Sequence, residues 1–432
     1  KYLLEFNIRR DGSSRFQPAN RWGNFPSVSA GWRISQEQFF EPLKDYINDL
    51  KLRVSWGKLG NQDALSSYYP TIPVLNLGQD YPFNSKINSG AAVVNAANAS
   101  LSWEAATTKG IGLDISLMRK LNLTLDYYDR LTTGIIMTIP SPETFALNNF
   151  IDNVGKMSNK GVELNAQYND RFGDVAFSFG GNIAYNKNKI LELAGQNEII
   201  SGLYIRRIGE SIDAFYGYKT EGIFKTDADA AAVNNKLYNS GTFKAGDLKY
   251  TDANGDGVVD AKDRVVLGNS VPSVNFGFNI SASYKNIDLL AILNGTMGGY
   301  GYMNFDAVGG INGDAQKPAK LWMDRWTPEN PNATVPRVRT GINGPNMPQT
   351  NTLSYWLRSS NYLRLKNIQL GYNFANNFLK EKGISNARIY VSSQNTFTIT
   401  KFLKGWDPEA PSGRGSAYPV VMVNSIGLNI SF

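Results

Sequence analysis

Pro272-Ser-Val274-Asn-Phe276-Gly-Phe278-Asn-Ile280-Ser-Ala282-Ser-Tyr284-Lys285-Asn286-Ile287-Asp-Leu289-Leu-Ala291-Ile-Leu293-Asn294 decides the fold. Val274, Phe276, Phe278, Ile280, Ala282 and Tyr284 share one parity; Asn275, Gly277, Asn279, Ser281 and Ser283 share the other. After Lys285 and Asn286 the apolar row resumes at Ile287, Leu289, Ala291 and Leu293. A two-residue connection that pairs Tyr284 with Ile287 keeps both apolar rows on one face of a hairpin. Each arm is about ten residues, enough for a tilted strand to cross a bilayer and too short for a helical span. The unit therefore offers one face to lipid and the other to water.

The same period of two recurs along the chain. Tyr2, Leu4, Phe6 and Ile8 alternate with Leu3, Glu5, Asn7 and Arg9. Val28, Ala30, Trp32 and Ile34 follow, then Leu50, Leu52, Val54 and Trp56. Ile111–Leu117 and Leu121–Tyr127 flank Met118-Arg119-Lys120, and Val162–Tyr168 precedes Val175–Tyr185. The last runs centre on Ile368-Gln-Leu370-Gly-Tyr372, on Ala387–Val391 and on Ile426–Phe432. Trp22, Trp32, Trp56, Tyr128, Tyr168, Tyr185, Tyr284 and Tyr372 sit near strand ends, where amphipathic rings favour the membrane–water boundary.

Short connections follow Met118, Tyr168 and Tyr284, whereas long ones cover about 62–102, 225–270 and 296–351. Short turns at one end and long loops at the other are the pattern of an outer-membrane barrel. The run ending near Ile190 heads toward the long-loop end and the run from Pro272 returns from it. By parity, Leu203–Ile208 and Ile212–Phe224 are expected as a further pair of wall strands, giving roughly fourteen in all. The expected fold class is all-β, a transmembrane antiparallel β-barrel spanning residues 1–432 as a single domain.

Composition narrows the function. Histidine and cysteine are absent among the 432 residues, which excludes Ser-His-Asp catalysis, disulfides and His- or Cys-ligated zinc. No Asp/Glu pair is placed for glycoside hydrolysis, so no enzymatic activity is expected. The net charge of +7 comes from dispersed lysines and arginines, not from basic runs, so nucleic acid is not an expected partner. No stretch nears eighteen consecutive apolar residues, so no helix is expected to span a membrane; strands hide from such a test. The chain opens on Lys1-Tyr-Leu-Leu4, already inside a strand pattern, as expected of a portion of a longer protein.

One motif has sharp chemistry. From Asp252 to Asp263 the loop carries Asp252, Asn254, Asp256, Asp260 and Asp263 at positions 1, 3, 5, 9 and 12, with the Val258 carbonyl at position 7. Calcium takes six to eight hard oxygens, which this set supplies, and Gly257 provides the sharp turn. Asp at position 12 in place of Glu resembles the dockerin variant. The expected role of Ca2+ is structural, ordering a long external loop. The alternative is an Asn/Asp-rich turn with solvated carboxylates. Among the loop aromatics, Tyr68, Tyr69, Tyr81, Phe83, Trp322 and Trp326 are candidates for stacking on a substrate, against the alternative of simple loop packing.

Together with Asp11-Gly-Ser-Ser-Arg-Phe16, Phe25–Ser35, Leu52–Gln62, Asn159–Leu164, Phe215–Phe224, Gly246-Asp-Leu-Lys-Tyr250, Trp326–Pro331, Tyr362–Ile368, Asn395–Thr400 and Trp406-Asp-Pro-Glu409, these features resemble the C-terminal barrel portion of SusC/RagA-type TonB-dependent outer-membrane transporters of Bacteroidetes. The resemblance implies a plugged barrel of about 22 strands, with the plug and N-terminal strands outside this chain. It further implies import of oligosaccharides or peptides across the outer membrane, a SusD-like surface lipoprotein as partner, and energy from TonB through the plug. Two other readings remain open at this stage: a secreted calcium-binding β-sandwich adhesin, and a passive diffusion porin. In the transporter reading, the residues opposite the lipid row (Arg9, Arg33, Lys51, Arg53, Asp126 and Glu163) line the lumen.

Overall fold

In the computed structural model, the described residues are all of 1–432 except 64, 66, 140–143, 145–146, 148–149, 239–241, 304–319, 340–343, 349, 375–382, 404–405 and 411–419. Twelve of its strands form one sheet: β1 (Tyr2–Gly12), β2 (Trp22–Arg33), β3 (Ile47–Asn61), β4 (Glu104–Leu117), β5 (Leu121–Ile139), β6 (Phe150–Phe172), β7 (Val175–Leu193), β8 (Val274–Tyr284), β9 (Ile287–Met297), β10 (Tyr362–Asn373), β11 (Asn386–Thr400) and β12 (Val423–Ser431). They pair in chain order from β1 to β12. The chain divides into two compact units, residues 1–168 with 184–199 and 207–211, and residues 169–183 with 200–206 and 212–432.

Within the first unit, cross-strand partners join Leu4, Ala30, Val54, Ile111, Tyr127 and Val162 into one apolar row. Within the second, Ala282, Leu289, Leu370, Val391 and Ile426 do the same. Tyr284 pairs with Ile287, the register that the hairpin pattern requires. These rows are not covered by protein: Val54, Ile111, Tyr127 and Val162 are between 42% and 48% exposed. A β-sandwich buries such a row against a second sheet, so the sandwich adhesin is overturned. An apolar face this broad requires another cover, and lipid supplies it. Met118 and Arg119 take positive φ in the tight β4–β5 turn, and Lys285 does so in the β8–β9 turn.

Two expectations are corrected here. The described wall has twelve strands, not about fourteen, because β8 follows β7 directly in the sheet. The parity rule asked for an even number of strands between them, and zero satisfies it. Tyr204–Arg207 and Ala214–Tyr218 instead belong to a separate four-stranded sheet with Glu198–Ser201 and Arg264–Asn269. At four and five residues they are too short to cross a bilayer. Ile205, Ala214, Phe215 and Tyr218 are buried in protein and face no lipid. The second correction concerns Tyr128, whose hydroxyl lies 3.2 Å from Asn186 Oδ1, on the face opposite Tyr127. Tyr127 takes its place in the outward ring.

Candidate functional site

On the polar face of the first unit, Arg53 organises the charges. Its Nε and Nη2 each donate to Asp114 at 2.9 Å, and Nη2 also lies 2.9 Å from Asp126; Lys51 stands 3.6 Å from Asp114. Arg53, Gly112 and Asp126 are direct cross-strand partners on β3, β4 and β5. Arginine and aspartate meet across the middle strand only because that strand carries glycine. A Cβ on Gly112 would fall inside the van der Waals contact of both Asp126 Oδ1 and Arg53 Nη2. In the second unit Gly371 lies in the same way beneath Arg388, which pairs with Asp288. Lys51, Arg53 and Asp126 are thus brought together with Asp114, which parity alone did not single out. Arg33 pairs instead with Asp49 at 3.3 Å and Arg9 with Asp11 at 2.7 Å. Gly112→Val should therefore push the guanidinium aside and overpack the face, costing about 1–3 kcal/mol. The check is a lower yield of heat-modifiable, folded receptor in the outer membrane; an unchanged yield would contradict the tight crossing.

The second unit carries an external assembly built on the connections after β7 and β9. Phe215, Tyr218, Phe224, Leu248, Tyr250, Tyr302, Trp322, Leu353 and Trp356 form its core. At its centre the Asp247 carboxylate is fully buried and accepts from Arg337 Nε (2.7 Å) and Nη2 (3.0 Å), Asn346 Nδ2 (2.8 Å) and the Lys244 amide (2.9 Å). The preceding Gly246 has φ +87°, and the Trp326 ring lies where its side chain would be. Burial drives the Tyr250 phenol well above its ordinary pKa, and its hydroxyl donates to the Pro345 carbonyl at 2.6 Å. Burial likewise pushes the Tyr355 phenol up to about 12. These groups stay neutral at any physiological pH and act as hydrogen-bonding core, not as acids.

The Asp252–Asp263 loop is a succession of Asx turns. Asp252 accepts from the amides of Gly255 and Gly257, both at 2.7 Å, and Asn254 and Asp256 accept from the amides two residues on. Gly255 and Gly257 hold the left-handed φ values that these turns need. Asp263 is fully buried and accepts from Ala253 and Asp260 amides at 2.8 and 2.7 Å, closing a capping box on the short helical turn Ala261–Asp263. Among the described residues no three carboxylates converge into a ready cation cage. At Asp252 and Asp256 each carboxylate oxygen accepts a single hydrogen bond and keeps a second lone pair, so the pairing and a cation are compatible there. At Asp263 only Oδ2 does so, because Oδ1 accepts from both the Ala253 and Asn254 amides.

The six candidate aromatics separate. Tyr68, Tyr69, Tyr81 and Phe83 are exposed, with the Arg15 guanidinium 4.8 Å from the Tyr68 ring centre. Tyr81–Phe83 pairs with Lys86–Asn88 in a small ribbon. Trp322 is 4% exposed, with its ring 6.0 Å from that of Trp356, and Trp326 packs over Gly246. Trp322 is therefore corrected from substrate candidate to core residue, and Trp326 is committed to packing in the same assembly. Long loops on an outer-membrane protein fold their own aromatic cores, and isolated sequence does not distinguish those rings from displayed ones.

A further buried cluster was not anticipated. Arg364 on β10 is 2% exposed and binds Thr398 Oγ1 (2.9 Å), Asp407 (2.5 Å) and Glu409 (3.1 Å). The Tyr362 hydroxyl donates to Glu409 at 2.8 Å. The segment Trp406–Glu409 is thereby strapped to the polar face of the wall. Its sequence signal was present in Trp406-Asp-Pro-Glu409, but nothing local named the partner.

An antiparallel wall with one uncovered apolar face, tight turns at one end and folded loops at the other defines an outer-membrane β-barrel protein. Comparison with known proteins gives the family. The family model described as "TonB dependent receptor-like, beta-barrel" matches residues 1–396, and the chain belongs to that family. It is 30% identical over 459 residues to TonB-dependent receptor P3 of Formosa agariphila, covering all of this chain and 44% of that protein. It is also 30% identical over 443 residues to the TonB-dependent receptor SusC of Bacteroides thetaiotaomicron, covering all of this chain and 42% of that one. The solved structure of the RagAB peptide transporter superposes with a TM-score of 0.82 at 26% identity, over all of this chain and 46% of the solved chain. The chain is thus of SusC/RagA type, is an outer-membrane protein, and spans less than half the length of the relatives it matches.

Proposed function

We propose that this chain forms the C-terminal part of the wall of a TonB-dependent importer of oligosaccharides or peptides, working with a SusD-like surface lipoprotein. The observation that carries the reading is the similarity of the whole chain, end to end, to SusC and to the RagAB peptide transporter. The division of the wall into an apolar face and one lined by ion pairs and amides agrees with it. The chain acts without catalysis in this reading. Deleting the receptor in its native host should abolish uptake of one labelled oligosaccharide or peptide, and depleting TonB should abolish it equally. Uptake that survives TonB depletion would replace the importer by a passive diffusion porin. Co-purification of a surface lipoprotein with the tagged full-length receptor tests the partner.

In the same reading Tyr68, Tyr69, Tyr81 and Phe83 meet substrate, supported by their exposed rings. Tyr81→Ala and Phe83→Ala should each weaken substrate binding roughly two- to tenfold, the range for a lost ring contact. We further propose Ca2+ as a structural ion of the 252–263 loop, held by Asp252, Asn254, Asp256, Asp260, Asp263 and the Val258 carbonyl. The spacing and the run of Asx turns support it. Terbium luminescence of the full-length receptor should appear and be lost in Asp252→Ala, and chelation should open this loop to protease. No luminescence and no effect of chelation would leave the loop as a capped turn.

A further inference from the structure

The apolar rows of the first unit end in charge at the long-connection end. On β4 the outward sequence is Leu113, Ile111, Lys109; on β6 it is Leu164, Val162, Lys160; on β7 it is Tyr185, Lys187, Lys189. The register fixes their level. Trp56 pairs with Lys109, Lys109 with Asp129, and Asp129 with Lys160, one row beyond the row of Ile111, Tyr127 and Val162. On the opposite face Asn159 Oδ1 accepts from both Asn186 (3.3 Å) and Asn188 (2.9 Å), which sets Lys187 beside Lys160. Lys109, Lys160, Lys187 and Lys189 are all exposed, and Asp129 is the only carboxylate in the row, held by Lys160 at 2.9 Å. Beyond this level β5, β6 and β7 continue for several residues more toward the long connections.

We infer that these four lysines form a binding site for the phosphate-bearing headgroup of an outer-leaflet lipid. The inference rests on the placement of this wall in an outer membrane, with the long connections outside. Aromatic rings at the boundary (Tyr127 and Tyr185) are 43% and 46% exposed and mark where acyl chains give way to headgroups. A cation belt one residue pair above them, on the lipid side of the wall, faces that headgroup layer and nothing in the lumen. An excess of lysine over carboxylate selects an anion, and each lysine near such a surface contributes about 1 kcal/mol. The acyl chains of the same lipid lie along Ile111 and Val162, so one molecule satisfies both halves of the surface.

The test uses the full-length receptor in a neutral detergent, titrated with monophosphoryl lipid A and with the same lipid after phosphatase treatment, and read by native mass spectrometry. Phosphorylated lipid should be retained by the native protein and lost at least about fiftyfold in K109Q/K160Q/K187Q/K189Q, with about fivefold per single change. Asp129→Asn should retain it several-fold better than the native protein. Heat-modifiable migration confirms that each variant is folded, and the quadruple Lys→Arg variant, which keeps the charge, should keep the lipid. Equal retention of the dephosphorylated lipid, equal retention by the folded glutamine variant, or displacement by millimolar inorganic phosphate would each overturn the site. A receptor that stays soluble without detergent would instead overturn the membrane placement, an outcome distinct from loss of the lipid site alone.

Discussion

Asp247→Ala should loosen the external assembly by about 3–5 kcal/mol, the cost of breaking a buried ion pair from one side. The carboxylate is fully buried and ties together two stretches far apart in sequence: the segment Lys244–Tyr250 and the segment that carries Arg337 and Asn346. Alanine takes from Arg337 the carboxylate that its guanidinium pairs with, and leaves the Asn346 amide only the Arg337 carbonyl at 3.1 Å. The partners of this carboxylate, Lys244, Arg337, Arg339 and Asn346, all lie within the assembly, so the loss is local. Hydrogen exchange on the full-length receptor should show faster exchange across 244–250 and 335–347 with the strands of the wall unchanged. Asp247→Asn, which keeps one acceptor oxygen, should fall between the two. Protection equal to native in the alanine variant would show that the apolar core around Trp356 holds the assembly alone.

Arg364→Ala should release the strap at Trp406–Glu409, at a similar cost of about 3–5 kcal/mol. The guanidinium is 3% exposed in its side chain, Asp407 is 9% exposed, and no other cation reaches that carboxylate among the described residues. Without Arg364, Asp407 keeps only the Glu409 amide at 3.0 Å. The charge must then hydrate, and the strap lifts from the polar face. Exchange of the amides at Glu409 and Ala410, the latter bonded to the Asp407 carbonyl at 3.0 Å, should rise by orders of magnitude. Arg364→Lys should rescue little, because one ammonium cannot serve Thr398, Asp407 and Glu409 in a fixed fork. A strap that stays protected in both variants would place its anchor in the burial of Phe402 instead.

Both sites illustrate where sequence stopped being readable. Alternation is local: Val274 to Tyr284 reveals its two faces within eleven residues, and the pairing of Tyr284 with Ile287 follows from a two-residue turn. The apolar side of the wall, the tight turns and the long connections were therefore legible from residue order, as was the carboxylate spacing of the 252–263 loop. The count of strands was not. Apolar alternation at Tyr204–Arg207 and Ala214–Tyr218 reads the same whether its cover is lipid or a neighbouring loop, and only packing shows that Phe215 lies against Tyr302.

By itself, then, the sequence determined the class of this protein: a wall of amphipathic strands whose apolar face has no protein to cover it, because a period of two is imposed by the backbone at each residue. Only the tertiary structure decided which charges meet. Arg53 reaches Asp126 across Gly112, Asp247 gathers Arg337 and Asn346 from about ninety residues away, and Trp322 turns into a core. Such contacts depend on register between strands and on how loops close over one another. Those are sums of many weak preferences that no single stretch of sequence contains.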